Sequence, residues 1–443
     1  MGVLPAKPSL EYLRKRAKEF ARAESVKLSE AQFRLAREHG FPSWPKLQAY
    51  VRRLTEHGES LQHAYHTDTE YYAERAYGLL ASAEDGTPEA REVFERWQQP
   101  LTRDGARNVV AREHGFASWR ALREHVTSLP DSGEPFARAY RMIEARDLDG
   151  LARIVDEFPG LVEARGTNGN DLLGMAGATC DERLSRILLD RGADPARANV
   201  HGWTPLHQAA YSNLPLVIDI LLEAGAPLDV SGRGDGGTPL VVALFWGNRA
   251  AAEKLAKHSK APGNLRVAAG LGDPELLDEL LKPDGSLSPA AGAHREFYRP
   301  HSGFPAWKPG DDPAEIRDEA LSWAARNDRV AAIRTLVARG ADIEADVYRG
   351  TPLIWAAAQG RLDAVRSLLA LGADANRAGT FGGPKHGEGV TALHLAAQGG
   401  HLDVITILLD AGADRGARDR HFDSTPETWA EVCGQPAARE LLA

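Results

Sequence analysis

Along the chain, apolar residues come in short blocks divided by polar turns, and two kinds of block alternate. The first is Ala-rich, as in Leu393-His394-Leu395-Ala396-Ala397, and predicts a short helix whose small side chains let a neighbour approach closely. The second is bulkier, as in Val404-Ile405-Thr406-Ile407-Leu408-Leu409, and predicts a helix buried along one face. Thr391 stands where an N-cap is needed, and in sister blocks the Thr is followed by Pro, pre-set for the first helical position. Gly412 follows the second block and is suited to close it in the left-handed conformation. No apolar run reaches the roughly 18 residues of a membrane helix.

The blocks recur in register. Gly-Ala-Asp stands at 192–194, 340–342, 372–374 and 412–414, with Gly225-Ala226-Pro227 as a variant. Thr204-Pro205-Leu206-His207, Thr238-Pro239-Leu240, Thr351-Pro352-Leu353, Thr391-Ala392-Leu393-His394 and Thr425-Pro426 keep step with it. Steps of 33 (192 to 225), 32 (340 to 372) and 40 residues (372 to 412) separate neighbouring copies. A period near 33 carrying Thr-Pro-Leu-His resembles the ankyrin repeat family. The resemblance covers roughly residues 136–443 and implies an all-α fold, an ankyrin-repeat solenoid with short β-turn fingers between helix pairs. About nine units are expected, beginning near Phe136, Asn168, His201, Gly236, Gly263, Ala314, Gly350, Gly389 and Asp423. Terminal units should depart from consensus, because capping repeats need a polar outer face. From Gly225 to Gly340 is 115 residues, which leaves an insertion at about 286–313.

Ahead of the array lies a second self-similarity. Residues 36–47, Ala-Arg-Glu-His-Gly-Phe-Pro-Ser-Trp-Pro-Lys-Leu, return at 111–122 with nine of twelve positions identical. Ser29 and Gln32 read as a capping box for a helix ending near His39, Gly40 as its terminator, and Ser43 as the cap of a second helix with Pro45 in its first turn. Phe41 and Trp44 are placed to wedge between the two helices. Residues 66–83 and 88–98 also read as helices. The expected organisation is therefore a duplicated helical module at 1–130 and a repeat array at 131–443. A helix–turn–helix can place a recognition helix on DNA, but Trp119–His125 mixes Arg120 and Arg123 with Glu124, so a packing module is the preferred reading.

Composition narrows the function. The chain has 443 residues, 43% hydrophobic and 26% charged, ordinary values for a folded protein. Aromatics are only 7% and glycines number 43, as thin, closely stacked elements require. Cys180 and Cys433 alone exclude a disulfide scaffold or a Cys-rich zinc site, and a reducing cytoplasm is the simplest location. The N-terminus has no signal-peptide core. Residues 1–54 carry 12 basic and 5 acidic side chains, whereas 131–443 carry 33 and 44. An anionic partner on residues 1–54 is a minor alternative, and the acidic remainder argues against nucleic acid as the main ligand.

Ankyrin-like arrays, by resemblance, bind with their fingers and with the concave positions after the Ala pair. Here those are Tyr211-Ser212, Phe245-Trp246, Gly270-Leu271, Arg326-Asn327, Ala358-Gln359 and Gln398-Gly399. Tyr211, Phe245, Trp246 and Leu271 would lie side by side, either as an exposed anchor patch or as a floor covered by the insertion. The insertion brings Tyr298, His301, Phe304 and Trp307, and an enlarged finger at 379–389 brings His386. Tyr348 and Gln359 complete the expected binding set. His294, His301, His386 and His421, with Asp346, Glu388 and Asp423, are the groups from which a buried His–carboxylate pair would be assembled. No catalytic motif organises them and their spacing is irregular, so no catalytic residue, metal or cofactor is assigned. Trp323, Trp355 and Trp429 share one repeat position and read as core. The leading expectation is recognition of a protein partner. The alternative is a small-molecule or enzymatic pocket roofed by the insertion and the enlarged finger.

Overall fold

The structure, a computed structural model, describes residues 4, 8–258, 263–297, 308–380 and 388–443. It is all-α, with helices from Leu10–Ala23 to Pro436–Leu442. Among the described residues the only sheet is a parallel pairing of two two-residue strands, Gln62–His63 and Arg165–Gly166. The chain forms two compact bodies, Met1–Arg233 and Gly234–Ala443.

In the first body the duplicated motif forms two helix pairs, Leu28–Glu38 with Trp44–His57 and Arg103–Glu113 with Trp119–Thr127. Gly40 (φ +82°) and Gly115 (φ +74°) close the first helix of each pair. Phe41, Leu47 and Val51 are fully buried in copy one, and Leu122 and Val126 in copy two. Ser118 caps its helix by accepting from the Ala121 N–H at 3.3 Å. The capping box expected at Ser29 and Gln32 is absent. The turn through Ser25 (φ +52°) enters the helix sooner, so Lys27 is the N-cap and Ser29 falls inside the first turn. The helix expected at 66–83 runs Thr69–Glu84, started by Asp68, whose carboxylate accepts from the Glu70 N–H.

Three further helix pairs follow in this body: Pro135–Glu144 with Leu148–Glu157, Leu172–Ala176 with Glu182–Leu189, and Pro205–Tyr211 with Pro215–Glu223. The module packs directly against them. The His63 ring stacks on Phe136 at 5.2 Å, His114 Nε2 bonds Thr167 Oγ1 at 3.0 Å, and Ser82 Oγ bonds His201 Nδ1 at 2.9 Å. Asn168 (φ +60°) donates its N–H to the Gln62 side chain. Residues on both sides of position 130 thus share one body.

Among its described residues the second body holds six helix pairs, whose first helices are Pro239–Phe245, Leu265–Leu271, Pro313–Arg326, Pro352–Ala358, Ala392–Gly399 and Pro426–Val432. Thr238, Thr351 and Thr425 cap theirs through the hydroxyl, with Pro next in each case. His394 accepts the Thr391 N–H at Nδ1 and donates from Nε2 to the carbonyl of Ser424, in the next finger. Each Gly-Ala-Asp finger is tied the same way. The Oδ1 atoms of Asp342, Asp374 and Asp414 accept from Glu344, Asn376 and Gly416 N–H. The next finger is then held in turn, Asp374 N–H on Glu344 and Asp414 N–H on Asn376, both at 2.7 Å.

Candidate functional site: an arginine–aromatic core in the second body

Helix Pro239–Phe245 ends on Phe245, which points inward and is only 2% exposed. Among the described residues five rings meet it edge-on or tilted: Trp246 at 5.3 Å, Phe297 at 5.8 Å, Trp355 at 6.0 Å, Trp323 at 6.1 Å and Tyr348 at 6.2 Å. Phe297 comes from the start of the insertion and is fully buried. That stretch runs back across the preceding fingers. Leu265 N–H donates to Ala291 O at 3.0 Å and Asn264 Nδ2 to Ala293 O at 2.9 Å. The described part of the insertion therefore covers Phe245.

Arginines are interleaved with the rings. The Arg326 guanidinium lies 3.7 Å from the Trp355 ring centre and 4.6 Å from that of Phe245. Its Nη1 donates to Phe245 O at 3.1 Å, while Nε and Nη2 donate to Ser322 Oγ at 3.3 and 3.2 Å. Arg266 covers Trp323 at 4.7 Å. One carboxylate serves the neighbourhood: Glu319 takes Arg266 Nη1 at 2.9 Å and Arg295 Nε at 2.6 Å. Burial pushes the Glu319 carboxyl up, but the two guanidinium groups outweigh it and hold it below the usual carboxylate range. Burial pushes Arg326 down to about 9 and Arg349 to about 10. Both stay protonated at neutral pH. Between these groups is a cavity of about 10 Å³, bordered by Phe245, Phe297, Glu319, Ser322, Arg326 and Tyr348 among others. It has room for about one water.

The predicted site residues divide accordingly. Phe245 and Tyr348 are core side chains, not surface anchors, and Tyr348 accepts the Trp355 indole N–H at its carbonyl. Trp246 and Gln359 are half-buried beside them. Leu271 borders a separate open groove of about 650 Å³ with Glu253, Lys257, Asp273, Leu276 and Arg329. Tyr211 belongs to the first body, where it is 39% exposed and its ring lies 5.8 Å from Trp203. Tyr298, His301, Phe304, Trp307 and His386 lie outside the described residues.

Among the described residues the His–carboxylate set is not gathered. His294 pairs with Asp235 at 2.6 Å, but both side chains are more than half exposed. Water there screens the pair, which lacks the desolvation that acid–base work exploits. Asp346 accepts the Thr380 N–H, Glu388 pairs with Arg420, and His421 meets Phe422 edge-on. Both cysteines are free and exposed. Trp323 and Trp355 are fully buried, while Trp429 is half-buried and donates to Asp419. In residues 1–54 several arginines are engaged: Arg16 with Glu38, Arg34 with Glu30 and Arg53 with Glu134.

Sequence reading gave no role to Arg266, Arg295, Glu319, Ser322 or Phe297, and it placed Arg326 among the concave positions without adding it to the binding set. A signal existed for two of them. Arg266 stands in phase with His394 of the Thr-Ala-Leu-His motif, and Arg326 in phase with Gln398, where charge has no place in a plain repeat.

Comparison with known proteins agrees with this architecture. Ankyrin repeats (3 copies) match residues 173–266 and 265–378, and ankyrin repeats (many copies) match 353–409. The chain is 48% identical over 49 residues to protein fem-1 homolog A of Rattus norvegicus, covering 11% of this chain and 8% of that one. It is 36% identical over 91 residues to protein PhlB of Serratia liquefaciens, 20% of this chain and 39% of that one. It is 38% identical over 64 residues to transient receptor potential cation channel subfamily A member 1 of Homo sapiens, 14% and 6% respectively. The chain thus spans well under half the length of each. Among the described residues no helix is long and apolar enough to cross a membrane, and no three His, Cys, Asp or Glu side chains group as metal ligands. Repeat phase, helix pairs and family match across more than half the sequence agree: the chain belongs to the ankyrin repeat family.

Proposed function

We propose that this chain is a recognition protein that binds a protein partner through its fingers and the concave face of its repeats, in the reducing cytoplasm that its free cysteines suit. Family membership supports a repeat-mediated protein-interaction role. The observation that carries the reading is the tied row of fingers from Asp342 to Asp414. Each of these fingers is fixed by its own Asp, and those at Asp374 and Asp414 also by the preceding finger, so a partner meets an ordered surface and binding loses little conformational entropy. Asp342, Asp374 and Asp414 are exposed along it. With 44 acidic against 33 basic residues in 131–443, the surface favours a partner with a basic patch.

A photo-crosslinker separates this from a passive scaffold. Placed at Asp374, in the finger, it should give discrete protein adducts. Placed at Arg366, exposed on the outer helix Leu362–Ala370, it should give none of the same species. Equal adducts at both positions would sink the reading.

A second reading, a small-molecule pocket, is favoured by one observation: Phe297 of the insertion packs on Phe245, so the insertion covers part of the aromatic core. It predicts a ligand enclosed on the concave side of the second body.

A further inference from the structure

One repeat position changes character along the second body. Seven residues after the cap Thr it is Phe245, Ala358, Gln398 and Val432, with Arg326 in phase. Phe245 and Arg326 are closed off, whereas Ala358 is half-buried, Gln398 is exposed and Val432 is 81% exposed. A capping unit should be polar where it is open, and Val432 departs from that. Size changes along with exposure. Bulky side chains stand where the chain covers itself, and smaller uncharged ones where it does not. Helices Pro352–Ala358 and Ala392–Gly399 contain no Asp, Glu, Lys or Arg, so this part of the floor is uncharged. Another backbone can approach such a floor closely, and no charge loses its water when it is covered.

The chain itself shows what covers the closed part. Ala291 O accepts the Leu265 N–H, Arg295 pairs with Glu319, and two residues further on Phe297 lays its ring against Phe245. In this short non-helical stretch a cation meets a carboxylate and an apolar side chain meets the floor. The open part offers the same two contacts. The finger that leads into helix Pro352–Ala358 carries Asp342, Glu344 and Asp346, all at least partly exposed, while its Arg349 is buried. Among the described residues these three carboxylates accept backbone N–H groups and the Thr380 hydroxyl, and none pairs with a cation. In the last finger, by contrast, Arg418 pairs with Asp423, and Arg420 reaches Glu388. The unbalanced negative charge is therefore on the Asp342 finger, and it complements a basic residue.

We propose that the open floor at Ala358, Gln398 and Val432 docks an extended segment of a protein partner, whose apolar side chains lie on that floor and whose Lys or Arg meets the carboxylates of the Asp342 finger. The Phe245 end of the floor takes no part, because residues 291–297 cover it. This inference rests on the recognition reading above and narrows it to the last three repeats.

The test uses the full chain and peptides selected on it from a random-sequence display library. Enriched peptides should combine apolar residues with Lys or Arg. They should slow amide exchange at 353–359, 393–399 and 427–433 and leave 240–246 unchanged. Val432→Lys and Gln398→Lys place a cation at exposed positions near helix C-termini, so the melting temperature should not change. Each should weaken the selected peptides by about tenfold or more, and peptides with Glu in place of Lys and Arg should not bind. No enrichment, an acidic consensus, protection at 240–246 in place of the floor, or affinity unchanged in Val432→Lys and Gln398→Lys would each overturn the proposal. The crosslinker at Asp374 separates it from the broader reading. Adducts undiminished by Val432→Lys would overturn this inference and leave recognition standing, whereas no adducts at Asp374 would overturn both.

Discussion

Glu319 shows how much one buried carboxylate can hold. Replacing it by Gln keeps the volume but leaves Arg266 without a counter-charge and Arg295 with Glu315 at the rim. The expected loss is about 3–5 kcal/mol in a urea titration. The same group sets a pH dependence. Its folded value lies below that of an unfolded carboxyl, so its contribution is full above about 4.5 and is lost as pH falls through the folded value. The urea midpoint of the second body should drop below pH 4.5, and Glu319→Gln should blunt that drop. Gly247 gives a steric counterpart. Its φ is +67°, and an added Cβ would lie 2.5 Å from the Arg326 carbonyl oxygen. Gly247→Ala should cost roughly 2 kcal/mol or more, since both strain and displacement of Arg326 contribute. Sequence periodicity placed Phe245 in the concave register and left open whether it is exposed or covered by the insertion. The reason is non-local: Phe297, more than fifty residues later, returns to cover it, and no repeat rule encodes that.

At the scale of elements, the sequence was most legible where one residue does one local task. Thr238, Thr351 and Thr425 cap as their Thr-Pro pairs required. Ser29 failed because cap position depends on how the previous helix ends, and the turn at Ser25 moved the start to Lys27. His394 shows an element joined to the next. It satisfies the Thr391 N–H at its own helix start and reaches the Ser424 carbonyl across the finger. His394→Ala leaves that N–H unmet and the fingers untied. We expect a loss of about 1–3 kcal/mol and faster amide exchange in residues 422–432, with 340–350 unchanged. Uniform acceleration across the second body would show that the histidine acts on packing rather than on the link.

At the scale of the whole molecule, the two bodies should respond differently to acid. Burial pushes His63 and His125 down to about 4 and His114 to about 3, and it holds His201 well below its usual value. All four lie in the first body. The unfolded chain takes up these protons first, so their contribution is full above about 6.5 and drains as pH falls towards 4. Hydrogen exchange at pH 5, corrected for intrinsic rates, should show lost protection at 60–66 and 110–126, while helix Val330–Ala338 keeps its protection. The array itself was legible from its period and turns. The arginine core was not, because its charges meet through tertiary packing and follow no repeat spacing. The central claim is recognition through an ordered row of fingers, and one comparison tests it most directly. Asp342, Asp374 and Asp414 are changed together to Asn, which keeps the side-chain oxygen that holds each turn but removes the charge. Melting temperature and recovery of the crosslinked partner are then measured against the parent chain. The account predicts unchanged melting and partner recovery reduced by about tenfold or more at low salt. Full recovery with the fingers neutralised would contradict it.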